Sequence, residues 1–486
     1  MQVVGSNTLT DLSFFQHWLP TPDHHLVVVL IALLVYILTT RSRHQQRSPS
    51  TAIAWVLGLA LLPYLVLPIY VLFGQRKVRP VGALHARRST PIAHWAAELI
   101  ESFGLAPPSR CSIRMHPDGN AARQALWELI EGARQHIDIC TFIIGNDALG
   151  REVIHRLALR AAQGVKVRVL LDGFGALSLG RGHFRALRAA GGEVAVFRPL
   201  FSLRGSGPRN LRNHRKFALA DGRWLWLGGR NLAGEYFGAA EANKGEKHTQ
   251  DRADKSAGGQ APGWVDLSFD LQGDVATAAA RQFEHDWDSV HRRQSTPRPI
   301  TPLPWVSKGS HAQFLPSGPD QAEDTAHALL IDACFRAQRR FIAVTPYFVP
   351  GDDLRDALRL AARRGVEVMI AIPEKSNHRL ADFVRTRAMR DLARAGVKFR
   401  MLPFMAHAKA IVMDDDLALC GSINLDLRSL LINYEAAVVF YDRREIDWLA
   451  HWIEETASTG QDYHAQRPSL LRDVAEGLLL TVTFQL

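Results

Sequence analysis

The chain has 486 residues, 47% of them hydrophobic, enough for two ordinary domains and a further segment. With 58 Lys+Arg against 48 Asp+Glu it carries a net charge of +10; this suits an anionic partner, nucleic acid or anionic membrane, without choosing between them. Its four cysteines, Cys111, Cys140, Cys334 and Cys420, show neither CxxC nor zinc-like spacing, which argues against a disulfide framework and for buried free thiols.

At the N-terminal end, residues 26–40, "LVVVLIALLVYILTT", and 52–73, "AIAWVLGLALLPYLVLPIYVLF", hold no charged residue. As helices they would span about 22 Å and about 33 Å, against a hydrocarbon core of about 30 Å. No Lys or Arg precedes the first run and no small-residue cleavage pattern follows it. Residues 1–80 therefore read as a membrane anchor rather than a cleaved leader. Arg41, Arg43 and Arg47 lie between the runs, and Arg76, Lys77 and Arg79 follow the second. The positive-inside tendency places both groups on the cytoplasmic side, which two full crossings do not allow. A second run broken at Pro63 and Pro68 into a re-entrant hairpin would reconcile them. The remainder of the chain would then face the cytoplasm.

From residue 110 the chain repeats itself. "HIDICTFIIGND" (136–147) is answered by "RFIAVTPYFVPGDD" (340–353), "AAQGVKVRVLLDG" (161–173) by "AARRGVEVMIAIPEK" (361–375), and "LRAAGGEVAVFRPLF" (187–201) by "LARAGVKFRMLPFM" (392–405). Each reads as helix, Gly, short β-branched strand, the alternation of an α/β fold with a largely parallel sheet. The expected organisation is a first domain over 110–290, a Pro-containing linker over 291–312 and a second domain over 313–486. Residues 243–263 are polar and Gly-rich, so a mobile loop is expected there.

The repeat is sharpest in two hairpins. "NHRKFALADGRWLWLGGRN" (213–231) and "AHAKAIVMDDDLALCGSIN" (406–424) match slot for slot. His214, Lys216, Asp221 and Asn231 stand 193 residues before His407, Lys409, Asp414 and Asn424. On a strand, side-chain period two puts His and Lys of HxK on one face. One such pair is ordinary solvated surface, but here the flanks are apolar and a buried polar pair needs a partner. A phosphodiester supplies one: Lys and Asn donate to its oxygens, one neutral imidazole attacks phosphorus and one protonated imidazole releases the leaving alcohol. No metal or other cofactor is expected, since HExxH, carboxylate clusters and Cys/His metal spacings are absent from the sequence.

HxKxxxxD twice, each followed by Gly-(Gly/Ser)-x-Asn, resembles the phospholipase D superfamily, and the chain resembles more narrowly its bacterial cardiolipin synthases. That likeness rests on "PIYVLFG", "HRKFALADG", "GGRNLAGEYF", "LPSGPD", "TPYFVPGDDL", "HAKAIVMDD" and "GSINLDLRSLLINYE". It implies two α/β/α sandwich domains as an internal pseudo-dimer with the hairpins at their interface. It further implies His214 as nucleophile and His407 as general acid and then base, with Lys216, Lys409, Asn231, Ser422 and Asn424 holding the phosphate. Asp221 and Asp414 would support the loops. An acid orienting each His is expected at the start of the next strand, Glu435 in "NYEAAVVF" and Asp266 in "WVDLSFDL".

The implied substrate is an anionic phospholipid, phosphatidylglycerol, at a bacterial inner membrane. A phosphatidyltransferase using phosphatidylethanolamine or another alcohol stays open, as does a phosphodiesterase or nuclease. No aromatic-interleaved basic tract favours nucleic acid. Three departures from the family pattern stand out: Gly229 where the second copy has Ser422, "FMAHAK" before the second HxK, and the ending "TVTFQL".

Overall fold

In the computed structural model the residues described are 21–42, 49–74, 76–78, 92–180, 182–199, 208–238, 263–291 and 309–480. Nearly all of the expected mobile loop, most of the linker and "TVTFQL" lie outside them. Contacts divide the chain into two units, Met1–Val81 and Gly82–Leu486.

In the first unit the helix Pro22–Ser42 is the one helix among the described residues long and apolar enough to cross a membrane. Its 21 residues span about 31 Å. It runs beyond the apolar core of 26–40 and includes His24, His25, Thr39 and Thr40. The second run is not one helix. It breaks at Leu62 into Pro49–Leu61 and Pro63–Phe73, because Pro63 has no N–H to continue the ladder. Pro68 stays inside the second piece. The rings of Trp55 and Tyr70 lie 5.1 Å apart, whereas a straight helix would separate these residues by about 22 Å. The two short helices therefore fold back on each other, and Thr39 bonds the Tyr70 hydroxyl at 2.6 Å.

In the second unit the strands of the first copy are β1 (Ser109–His116), β2 (His136–Thr141), β3 (Lys166–Asp172), β4 (Glu193–Phe197), β5 (Phe217–Ala220), β6 (Trp224–Gly228) and β7 (Ser268–Gly273). The second copy adds β8 (Ser310–Ser317), β9 (Arg340–Val344), β10 (Phe348–Val349), β11 (Glu367–Pro373), β12 (Lys398–Leu402), β13 (Ala410–Met413), β14 (Leu417–Gly421), β15 (Leu425–Asp426), β16 (Glu435–Phe440) and β17 (Gln461–Asp462). All but the β10–β15 pair join one sheet, in the order β17-β12-β11-β9-β13-β14-β16-β8-β1-β7-β6-β5-β2-β3-β4. The order reads as a palindrome about the antiparallel β8–β1 pair, where Arg110 faces His311. A pseudo-two-fold passes there, so the two copies share a sheet instead of forming two separate sandwiches.

Within each copy β2, β3, β4 and β9, β11, β12 run parallel, joined by helices as βαβ connections require. One face of the sheet carries a core continuous across both copies, under the helices Asp274–His291 and Arg443–Ser458, with Phe269 and Phe440 rings 5.2 Å apart. The other face carries one core per copy, under Gly119–Gly132 and Ala148–Ala162 in the first and Thr325–Arg336 and Asp352–Arg363 in the second. The architecture is α/β/α in both halves. Its parallel strands aim their carboxyl ends, where open α/β sheets bind ligands, at the run-ins to β5 and β13.

Candidate active site

The HxK residues sit one step outside the strands in which they were expected. His214 and Lys216 lie in the extended run-in to β5, and His407 and Lys409 in the run-in to β13. There the backbone pairs with the opposite copy. His214 N–H donates to Tyr434 O (2.8 Å), and His407 N–H donates to Val265 O (2.6 Å). Tyr434 and Val265 are the residues immediately before Glu435 and Asp266. Each acid is thus delivered to the histidine of the other copy.

The side chains follow. His214 Nδ1–H donates to Glu435 Oε1 (2.9 Å) and lies 3.1 Å from Oε2. His407 Nδ1–H donates to Asp266 Oδ2 (2.8 Å). Both acids are fully buried. Fixing the proton on Nδ1 leaves Nε2 as the reactive nitrogen. The structure brings each expected acid to the histidine of the other copy and not, as expected from the sequence, to the one preceding it in its own copy.

Ser422 also needs correction. Its hydroxyl donates to Glu435 Oε2 and accepts from Ala436 N–H (3.0 Å), so it holds the acid that holds His214. The matching Gly229 has no room for a side chain, because a Cβ there would stand 2.2 Å from Asp266 Oδ1. The missing hydroxyl is therefore a packing consequence of the Asp266 carboxylate.

Asn231 and Asn424 are buried, and the Oδ1 of each finds no hydrogen-bond partner among the described residues. The Asn231 amide bonds Tyr236 and the Asn424 amide bonds Asp426. Asp221 accepts the N–H groups of Arg134 (2.9 Å), Gln135 (2.7 Å) and His136 (2.8 Å). Asp414 does the same for Gln338 (3.0 Å), Arg339 (2.8 Å) and Arg340 (2.9 Å). Both Asp residues anchor hairpin turns at the amino ends of β2 and β9, the end of those strands away from the histidines.

Electrostatics set the protonation of the four central groups. Burial lowers His214 to about 4, opposed by Glu435 and reinforced by Lys216 and Lys409. Burial also lowers His407 to about 3, with Lys409 as the next cause and Lys216 contributing. Lys409 Nζ stands 2.8 Å from His407 Nδ1 and 3.1 Å from its Nε2, while Lys216 Nζ donates to the His214 carbonyl at 2.8 Å. Burial brings Lys216 to about 7 and Lys409 to about 8. Asp266 stays below the usual carboxylate range, since burial raises it less than His407, Lys409 and Arg230 lower it. The four groups share one field, which a phosphoryl anion would rebalance by favouring their charged forms.

Sequence reasoning missed a buried network behind His214. Arg215 is fully buried and bonds Asp286 (2.7 Å), Asp320 (2.9 Å) and the Glu435 carbonyl (3.0 Å). It ties the first copy to the second through the Asp of "LPSGPD". The signal was visible as HRK against HAK, where Ala408 stands opposite Arg215. Asp286, Asp320 and His285 lie close enough together to suggest a cation site, but the Arg215 guanidinium already satisfies both carboxylates. An aromatic wall was also missed: Phe142 lies 5.0 Å from the His214 ring, and Tyr236 and Trp264 lie 4.9 and 5.5 Å from His407.

The chain resembles known proteins over most of its length. The family model described as cardiolipin synthase, phospholipase D-like domain, matches residues 126–244 and 330–457, and a phospholipase D-nuclease N-terminal model matches 28–75. Cardiolipin synthase A of Pseudomonas putida is 30% identical over 470 residues, covering 90% of this chain and 93% of that protein. The chain belongs to the phospholipase D-type cardiolipin synthases. Cardiolipin synthase A of Pseudomonas aeruginosa is 31% identical over 442 residues, covering 86% of each. The solved phosphatidylserine synthase of Haemophilus influenzae shares the fold, with a TM-score of 0.54 and 12% identity over 80% of this chain and all of that one. The enzyme is accordingly a phospholipid phosphatidyltransferase, and its N-terminal apolar helix fits association with a membrane.

Proposed function

We propose that the enzyme makes cardiolipin and glycerol from two phosphatidylglycerol molecules through a phospho-histidine. The observation that carries this reading is the pair of imidazoles, one from each copy, each oriented by the other copy's buried acid, beside two buried lysines. His214 is the more open of the two, with its side chain 12% exposed against 4% for His407, and is taken as the nucleophile.

The first phosphatidylglycerol places its phosphoryl oxygens on Lys216, Lys409, Asn231 and Asn424. His214 Nε2 attacks phosphorus, the bond from phosphorus to the head-group glycerol oxygen breaks, and His407 gives that oxygen its proton. His407 needs a proton for this, and the anion supplies the condition by drawing Lys409 away from its Nε2. In the second half, the hydroxyl of another phosphatidylglycerol yields its proton to His407 and attacks phosphorus. The phosphorus–nitrogen bond breaks and His214 is neutral again. Glu435 stabilises the cationic phospho-imidazole, and the aromatic wall keeps out water, whose attack would give phosphatidic acid.

The helical hairpin supports a cytoplasm-facing catalytic unit at the bacterial inner membrane. One crossing by Pro22–Ser42 and a returning hairpin leave the cationic segments around Arg41 and Arg76 on the same side.

The test is the detergent-solubilised enzyme with phosphatidylglycerol alone, then with phosphatidylethanolamine added, following lipids by mass spectrometry and glycerol release in parallel. Cardiolipin and glycerol in matched amounts from phosphatidylglycerol alone, lost in His214→Ala and His407→Ala, are expected. Product that appears only with the second lipid would replace the donor or acceptor, and folded enzyme inert toward every phospholipid would overturn the reading.

A further inference from the structure

Two loops lie at equivalent places by the catalytic mouth, after β3 and after β11, and they differ in chemistry. The first, 173–179, carries Phe174 and Leu177 with 55% and 50% of their surfaces exposed. Single exposed apolar residues are ordinary. This pair is held in place by the site itself. The Phe174 ring stacks on Phe142 at 5.9 Å, and Phe142 packs on the His214 ring. The buried Asp172 carboxylate accepts both the Phe174 N–H (2.8 Å) and the Asn213 N–H (2.8 Å), so one side chain ties the loop to the run-in that carries His214. Gly175 closes against the Phe142 carbonyl, where a Cβ would stand at 1.8 Å. The loop is thus fixed with its apolar side chains outward. Across the pseudo-two-fold, the matching loop 374–380 exposes Lys375 and Arg379 beside one acid, Glu374, a net positive charge.

We propose that these two loops form the face by which the catalytic unit sits on an anionic phospholipid bilayer, Phe174 and Leu177 entering the acyl boundary and Lys375 and Arg379 meeting head-group phosphates. The inference rests on the phospholipid reading of the site and adds where the lipid surface lies. Apolar insertion beside cationic contacts is the usual chemistry of an interfacial binding face, and each cation near an anionic leaflet adds roughly fivefold in affinity. Docking there brings a lipid phosphate to His214 while its acyl chains stay in the bilayer.

The test uses the full chain in phosphatidylglycerol vesicles. Because all four native cysteines are buried, single cysteines at 174, 177 and 335 accept an environment-sensitive fluorophore selectively. Phe335 is the control: it is 52% exposed at the end of the helix leading into the amino end of β9, away from the end that carries the histidines. Quenching by spin-labelled lipid and protection from aqueous iodide are expected at 174 and 177 and not at 335. Positions 174 and 177 behaving like 335 would overturn the proposal. In a second arm, Leu177→Ser is expected to lower turnover of bilayer phosphatidylglycerol by roughly fivefold while sparing a monomeric short-chain substrate. Equal loss on both substrates would mean a structural role and overturn it. If the parent enzyme turns over no phospholipid, the functional reading fails, and the fluorophore positions still decide the docking face.

Discussion

The crossed acids make a prediction that a same-copy arrangement does not share. Glu435→Gln keeps size and burial but replaces a carboxylate 2.9 Å from His214 Nδ1 with an amide. The charge it stabilises is the one His214 gains on bonding phosphorus. At about 3 Å and an effective dielectric near 20, that interaction is worth about 5.5 kcal/mol, or about 10⁴ in the rate of the first step. Asp266→Asn removes the matching support from His407, the acid and then the base. A phosphatidyl ester of p-nitrophenol separates the two, because its leaving group needs no proton. In rapid mixing, Asp266→Asn should release a burst of nitrophenolate and then stall with the phosphatidyl group on the enzyme. Glu435→Gln should give no burst. A burst from Glu435→Gln and none from Asp266→Asn would refute the reasoning.

Further outcomes follow from the same geometry. Gly229→Ser should push Asp266 off His407, given a Cβ 2.2 Å from its Oδ1, and cost about 1–3 kcal/mol in stability; calorimetry and the burst assay would read both, and a fully active, equally stable variant would contradict it. Asp221→Ala leaves three N–H groups without their acceptor and should lower stability by about 1–3 kcal/mol with KM for phosphatidylglycerol unchanged. Arg215→Met strands Asp286 and Asp320 in the interior and should cost about 3–5 kcal/mol, visible as a lower Tm. For the burst with the nitrophenyl ester, which needs no proton from His407, the pH profile of kcat/KM should fall as pH rises through about 7 to 8, where Lys216 and Lys409 lose their charge. On the acid side it should hold until His214 is protonated near 4; Lys216→Met should move the upper limb toward that of Lys409.

Much of this was legible because the chemistry is written twice. The constant spacing of 193 between paired His, Lys, Asp and Asn residues exposed the site, and β-branched runs after Gly exposed the parallel strands. What the sequence hid is three-dimensional. Which acid serves which histidine depends on the bridges at Asn213–Tyr434 and Val265–Ala406, contacts between segments more than 140 residues apart. Ser422 read as a phosphate ligand because its partner Glu435 lies across a strand pair. Arg215 sat unnoticed between two conspicuous residues, its meaning carried by the distant Asp286 and Asp320. The break at Pro63 was foreseeable from its missing N–H, while the return of the helix onto itself shows only in the Trp55–Tyr70 contact.

The most direct test of the account is to find the covalent intermediate. Enzyme mixed with phosphatidylglycerol, quenched in base to preserve phosphoramidate and digested, would be read by tandem mass spectrometry. The account predicts a phosphatidyl group, or its deacylated remnant, on His214 alone, absent in Glu435→Gln and enriched in Asp266→Asn treated with the nitrophenyl ester. Modification of His407 instead would reverse the roles of the two copies, and turnover with no modified histidine would contradict the phospho-histidine route.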